Sequence, residues 1–419
     1  MTMPSQPPHI APSGVARVAE QLRLRRALLQ SRRARFTSAV LLLALILCSV
    51  GWPFLKAHLE SVAVLDLVSG KPIPWILKET IAEPIVTQEL TIPTANGPIP
   101  ARLYTPHNHP SAPAIIVLHG VHHLGMNEPR LIAFASAMAS CGLRVLTPEL
   151  PDIKDYHVGA SSVASIGDSA AWMAQRNGGP VGVMGLSFSG GLALLAAADP
   201  QWSHSIKFVV AIGSQDEMSR VAAYYRTGQD QRPDGSTELL APHEYGALVM
   251  EYEHIEDFAP AQDLAPLRAV LRAHLYEDGP AEKTALAALT PAQLAEIKQL
   301  LNTTNVATRE ALAHSETLHI QDMAGVSPHG HLKQLTTPVY LLHGEGDNII
   351  PSAETQWMIS ELPGESLKSS LISPVLSHIN LDGANPTAMD QWRLVHFFAL
   401  ILHAAETSQR CRSCARSVW

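Results

Sequence analysis

Two serines, Ser187 and Ser189, stand one residue apart in the stretch GLSFSGG (185–191). A serine hydroxyl is barely ionised at neutral pH. It becomes a nucleophile only when a base accepts its proton and an acid orients that base. Two later stretches carry such groups: HGEGD (343–347), which ends in Asp347, and LISPVLSHINL (371–381), which contains His378. The chain has 20 histidines, so identity alone singles out none of them, and position has to decide. The plain alternative for GLSFSGG is a glycine–serine turn without chemistry.

Position comes from the flanking elements. The apolar run VGVM leads into GLSFSGG and LALLAAA leads out, which reads as strand, turn and helix. Upstream, strands are expected at 85–92 and 99–105, joined by a hairpin at Asn96-Gly97. A β-branched run at 114–120 has the continuous apolar character of a strand buried on both faces. A helix at 128–141, a strand at 143–150, a helix at 162–176, a strand at 181–184, a helix at 190–199 and a strand at 206–213 follow. The alternation resumes with a strand at 338–344, a helix at 352–361, a strand at 367–373 and a helix at 386–404. This pattern predicts an α/β fold: a mostly parallel sheet, helices on both faces and right-handed crossovers. The interval 214–335 breaks the pattern. It holds amphipathic helical stretches near 238–256, 263–276, 285–301 and 305–322 and no strand-like run. In the second of these, Leu264, Leu267, Leu271 and Leu275 share a face. The interval therefore reads as a helical insertion, and Tyr224-Tyr225 and EYEHIEDF within it as faces that pack on the body.

In open α/β sheets, function collects at the carboxyl ends of strands. His119-Gly120-Val121, GLSFSGG, HGEGD and LISPVLSHINL all lie at such ends. Together they resemble the α/β-hydrolase superfamily of serine esterases and lipases, nearest its dienelactone-hydrolase-like branch. That family carries a G-x-S-x-G elbow between a strand and a helix, with its partners in the order serine, acid, histidine. Gly185 and Ser187 match the elbow; Ser189 replaces the second glycine and Gly190 follows it. The resemblance covers about 85–213 and 336–404.

The resemblance implies Ser187 as nucleophile, since Ser189 would be buried in the first turn of the helix. It implies Asp347 as the acid, with Glu345 and Asp216 as weaker rivals, and His378 as the general base. It implies the backbone N–H groups of Val121 and Phe188 as the oxyanion hole, with Gly120 turning that loop and His119 supporting it. His122 and His123 follow this loop and either border the pocket or are plain loop polarity, and the insertion stands where the superfamily often keeps a lid. The function implied is cleavage of carboxylic esters, on a small-molecule or lipid substrate, through an acyl-enzyme. A peptidase or acyltransferase on the same triad, or a non-catalytic binding protein on this fold, are the alternatives. Neither a metal nor another cofactor is expected. The pairs His107/His109, His122/His123 and His329/His331 have no third ligand at a defensible spacing, and no HExxH occurs.

The N-terminal region reads differently. Residues 1–36 carry seven arginines against one acid, Glu20, although the whole chain of 419 residues has a formal charge of -8. The body is thus acidic, which argues against nucleic acid as its partner. Between Arg35 and Lys56 lie twenty residues without a charge, about what a bilayer core requires. With arginines only on the near side, the positive-inside rule predicts a cytoplasmic N-terminus and an extracytoplasmic catalytic domain, periplasmic in a bacterium. A cleaved signal peptide is the rival reading. The expected organisation is a basic cytoplasmic segment (1–35), a transmembrane anchor (36–55) and a tether rich in proline (56–84). The hydrolase core follows in two parts (85–213 and 336–405) around the lid insertion (214–335). A tail (406–419) carries Cys411 and Cys414 beyond the last helix, where they form a local disulfide or remain two plain thiols.

Overall fold

A computed structural model describes residues 18, 21, 36–37, 51–383 and 385–416, with backbone only for 408–416. The chain falls into two units, Met1–Lys56 and Ala57–Trp419. The apolar segment expected to be an anchor, 36–55, lies outside the described residues over 38–50. Among the described residues, no helix is long and apolar enough to cross a membrane.

Eight strands build one sheet: β1 (Ile85–Ile92), β2 (Ile99–Pro106), β3 (Ala114–Leu118), β4 (Arg144–Pro148), β5 (Val181–Leu186), β6 (Ile206–Ile212), β9 (Val339–Gly344) and β10 (Leu367–Ser373). Their spatial order is β1-β2-β4-β3-β5-β6-β9-β10. β2 runs antiparallel to both neighbours, and every pairing from β4 to β10 is parallel. β3 and β9 are buried at every residue, so their apolar runs do not alternate with polar residues. The alternation survives in which face each side chain enters. Ile116 and Leu118 join one core cluster while Ile115 and Val117 join the other, as a period of two requires.

Helices cover both faces. Residues 51–68 are helical (α1), followed by α2 (Trp75–Thr80), α3 (Pro129–Ser140), the short α4 (Pro151–Lys154), α5 (Ser161–Asn177) and α6 (Phe188–Ala198). α3 and the last helix send Leu131, Met138, Leu394 and Phe397 into one cluster. α5 and α6 send Ile166, Met173, Leu192 and Leu194 into the other.

Three expectations need correction. The stretch 56–84 is not an extended tether. Ala57, Ala63 and Val64 of α1 are buried in the core beside Phe397 and Leu394, and Ser61 donates to the Val395 carbonyl at 2.8 Å. The prolines that suggested a tether border elements instead: Pro74 is the N-cap of α2 and Pro84 immediately precedes β1. The insertion is not purely helical, because β7 (Gln229–Gln231) and β8 (Thr237–Leu239) pair as a small ribbon. Its helices are α7 (Met218–Thr227), α8 (Glu244–Glu253), α9 (Leu264–Leu275), α10 (Gly279–Ala287), α11 (Pro291–Leu300), α12 (Val306–Leu318) and α13 (Ile320–Gly325). Thr290 caps α11 through a capping box with Gln293, which splits the helix expected over 285–301. After α14 (Ala353–Glu361), the last helix, α15 (Ala388–Arg416), runs on through Cys411 and Cys414. These cysteines are therefore on a helix rather than beyond one; their side chains lie outside the described residues.

The insertion does not hang free. Leu267, Val270 and Leu271 of α9 and Leu248 of α8 belong to the same buried cluster as Ile116 and Leu192 of the body. Burying such apolar faces is what holds amphipathic helices in place.

Candidate active site

Ser187 stands between β5 and α6 with φ 56° and ψ -137°, a region that residues with a side chain rarely occupy and that costs about 1–3 kcal/mol. The surroundings enforce it. Ser187 N–H donates to the Ile212 carbonyl at 2.8 Å, and the Ser214 hydroxyl donates to the Ser187 carbonyl at 2.8 Å. A side chain at Gly185 would come within 2.4 Å of the Ser189 carbonyl oxygen, so only glycine lets α6 pass this close to β5.

Ser189 has another task. It is fully buried and donates its hydroxyl to the His119 carbonyl at 2.6 Å, tying the first turn of α6 to the loop after β3. That loop lies against Ser187, since a side chain at Gly120 would be 3.2 Å from Ser187 Cβ. His119 is buried and fixed at both nitrogens. Its Nε2 accepts from Leu150 N–H at 2.9 Å, so Nδ1 carries the proton and donates to the Gly120 carbonyl at 2.8 Å. Burial depresses the His119 pKa, which keeps the ring neutral. Phe188 is the first residue of α6, so its N–H is among the four that a helix leaves without an internal acceptor.

Asp347 and His378 meet Ser187. His378 Nε2 lies 2.9 Å from Ser187 Oγ, and His378 Nδ1 lies 2.5 Å from Asp347 Oδ2. Asp347 is buried, and its Oδ1 accepts from the N–H groups of Ile349 (2.9 Å) and Ile350 (3.0 Å). Burial opposes its ionisation. The facing His378 imidazole and the hydrogen bonds from His343 and His378 outweigh that, holding the carboxyl well below the usual carboxylate range. Of the rivals for the acid, Glu345 is exposed, and Asp216 is engaged elsewhere, with Arg220 and His329.

The insertion reaches this site, as its place after β6 led one to expect, through residues that no sequence signal singled out. Tyr245 of α8 donates to the Val121 carbonyl at 2.7 Å. Tyr276, just after α9, stacks on His123 at 4.5 Å, and His123 stacks on His122 at 4.6 Å. The contacts of Tyr245 and Tyr276 join residues more than a hundred positions apart, beyond the reach of local spacing. His343, whose Nε2 is 3.3 Å from Asp347 Oδ2, was visible only as part of HGEGD. An open cleft of about 810 Å³, lined by Asp168, Trp172, Gly179, Pro180 and His204, is a different place. Gly179 and Pro180 precede β5, so the cleft lies at the end of the strand opposite Ser187.

No protein-family model matches the chain, and no curated protein does. Solved structures are similar to it in outline. An esterase of Pyrobaculum calidifontis is 17% identical with a TM-score of 0.44, covering 84% of this chain and 92% of its own. An α/β-hydrolase-fold protein of Nakamurella multipartita is 15% identical with a TM-score of 0.37, covering 74% and 99%. An acylaminoacyl peptidase of Pyrococcus horikoshii is 13% identical with a TM-score of 0.42, covering 73% of this chain and 39% of its own. Likenesses this distant carry no argument alone. The chain's own strand order, with a mostly parallel sheet, and the strained serine between β5 and α6 show an α/β fold that fits the α/β-hydrolase expectation.

Proposed function

We propose that the protein is a serine hydrolase that cleaves carboxylic esters through a Ser187–His378–Asp347 triad. One observation carries the reading: the unbroken line from Ser187 Oγ through both His378 nitrogens to a buried carboxylate. In this mechanism Asp347 holds the His378 Nδ1–H, so that Nε2 faces the serine as an acceptor. Ser187 Oγ attacks the ester carbonyl carbon as its proton passes to Nε2. The carbonyl oxygen becomes an oxyanion, received by the N–H groups of Phe188 and Val121. His378 then protonates the departing alcohol, leaving an acyl-enzyme, and activates a water that releases the acid. The test is a fluorophosphonate probe together with p-nitrophenyl esters of rising chain length. A single label on the 185–191 peptide and ester turnover support the reading. A labelled protein that turns over only amide or acyl-transfer substrates replaces ester cleavage by one of those activities.

In the same reading, the insertion 214–335 is a lid that shapes the pocket; its contacts at Val121 and His123 support this. Residues 36–55 anchor the protein, with the N-terminus inside and the catalytic domain outside the cytoplasm. The arginine asymmetry supports this orientation. Substrates would then be small-molecule or lipid esters met on that side of the membrane.

A further inference from the structure

Where the insertion leaves the body and where it returns, three side chains converge from three separate elements. Asp216 follows β6, His329 precedes the turn Leu332–Gln334, and Glu361 closes α14. One potential ligand atom from each lies within 4.8 Å of the others. His329 Nδ1 is 3.3 Å from Asp216 Oδ2 and in close contact with Glu361 Oε1. The backbone holds the group together: His329 N–H donates to the Asp216 carbonyl at 3.0 Å, and Gly330 N–H donates to Glu361 Oε2 at 2.9 Å.

The neighbourhood is short of positive charge. Arg220 divides its guanidinium among Asp216 (2.9 Å), Glu217 (2.9 Å) and Glu354 (2.6 Å). Glu361 is left to His329. Asp216 is fully buried, yet its Oδ1 has no hydrogen-bond partner among the described residues. Burial and the nearby Glu354 carboxylate push Asp216 up to about 7, against the pull of Arg220.

We propose that Asp216, His329 and Glu361 bind one divalent metal ion of the Zn²⁺ class, which fastens both ends of the insertion to α14. The donor set is one imidazole nitrogen and two carboxylate oxygens, which suits a borderline ion better than the all-oxygen shells that Ca²⁺ and Mg²⁺ prefer. Tetrahedral ligands at about 2.0–2.2 Å stand roughly 3.4 Å apart, close to the separation of His329 Nδ1 and Asp216 Oδ2. The tighter His329–Glu361 pair would have to open to admit the ion. His329 is 43% exposed, which gives the ion a path in and leaves room for water as a fourth ligand. The role is structural, since none of the three touches Ser187 or His378 in the contacts described. Histidine spacing alone could not reveal this site, because its two carboxylates come from remote parts of the chain.

The test uses the full-length protein, stripped with a chelator and dialysed against Zn²⁺. The wild type should retain one more Zn²⁺ per chain than His329→Ala or Glu361→Gln, and each variant should bind at least about 10-fold more weakly, as disturbing a metal site does. Zn²⁺ should raise the wild-type Tm, Ca²⁺ should not, and the Zn²⁺ effect should vanish in both variants. Should a variant fail to fold, Co²⁺ added to the wild type decides, through the visible band of a tetrahedral site. Equal Zn²⁺ content and equal Tm shifts in all three proteins, or a wild type with neither a Zn²⁺-dependent Tm nor a Co²⁺ band, overturn the proposal and leave an ion-pair cluster.

Discussion

His119 Nδ1–H donates to the Gly120 carbonyl at 2.8 Å, and that carbonyl shares its peptide plane with the N–H of Val121. The imidazole therefore sets the direction of a proposed oxyanion donor without touching the substrate. Its own direction is set by Leu150 N–H on the far nitrogen. His119→Ala should lower kcat about 10-fold or more, with a smaller effect on KM, because a misdirected donor is felt chiefly in the transition state. It should also destabilise the fold by roughly 1–3 kcal/mol by leaving the buried Leu150 N–H without an acceptor. Steady-state kinetics on a short ester and a thermal melt measure the two effects. A rise in KM at constant kcat would instead put His119 in substrate binding.

The two serines of GLSFSGG should separate cleanly. Ser187→Ala should remove fluorophosphonate labelling and cost on the order of 10⁴–10⁶ in turnover. Ser189→Ala should keep the label and lose much less, since it removes a hydrogen bond to the His119 carbonyl rather than the reacting atom. Labelling that persists in Ser187→Ala and disappears in Ser189→Ala would reverse the assignment.

Asp347 should link the proposed activity to acid stability. Its folded-state pKa is depressed, so its contribution is complete above the unfolded carboxylate value of about 3.9 and is lost as pH falls towards the folded value. Asp347→Asn should therefore melt below the wild type at pH 5–7, and the gap should narrow below about pH 4. At neutral pH its kcat should fall by around 10⁴, because the amide no longer enforces the imidazole tautomer that serves Ser187. Melts from pH 3 to 7 test the first claim; a Tm gap independent of pH would contradict it.

The stack of Tyr276 on His123 joins the insertion to the loop after β3. Tyr276→Ala should change the preference for acyl chain length while leaving reaction with a small phosphonate within a few-fold of wild type. An unchanged ester profile would argue that the insertion does not shape the pocket.

Much of this was legible in the sequence, and for identifiable reasons. The strand β3 announced itself as AIIVL because central strands are buried on both faces. Ser187, Asp347 and His378 could be picked out because each follows a strand at the carboxyl edge, where chain order fixes place. α1 was missed because its buried face mixes Val64 with Ala57, Ser61, Ala63 and Glu60, small or polar residues that contribute little apolar signal. The ribbon of β7 and β8 was missed because its residues are mostly polar and mostly exposed. Tyr245 and Tyr276 were invisible as site residues because only the folded insertion brings them to Val121 and His123.

The backbone at Ser187 carries a further consequence. Glycine adopts φ 56° and ψ -137° without the penalty that a side chain meets there. Set against the greater freedom glycine has in the unfolded chain, Ser187→Gly should still gain on the order of 1 kcal/mol, visible as a higher Tm. The most durable form of this protein would then be one that does no chemistry.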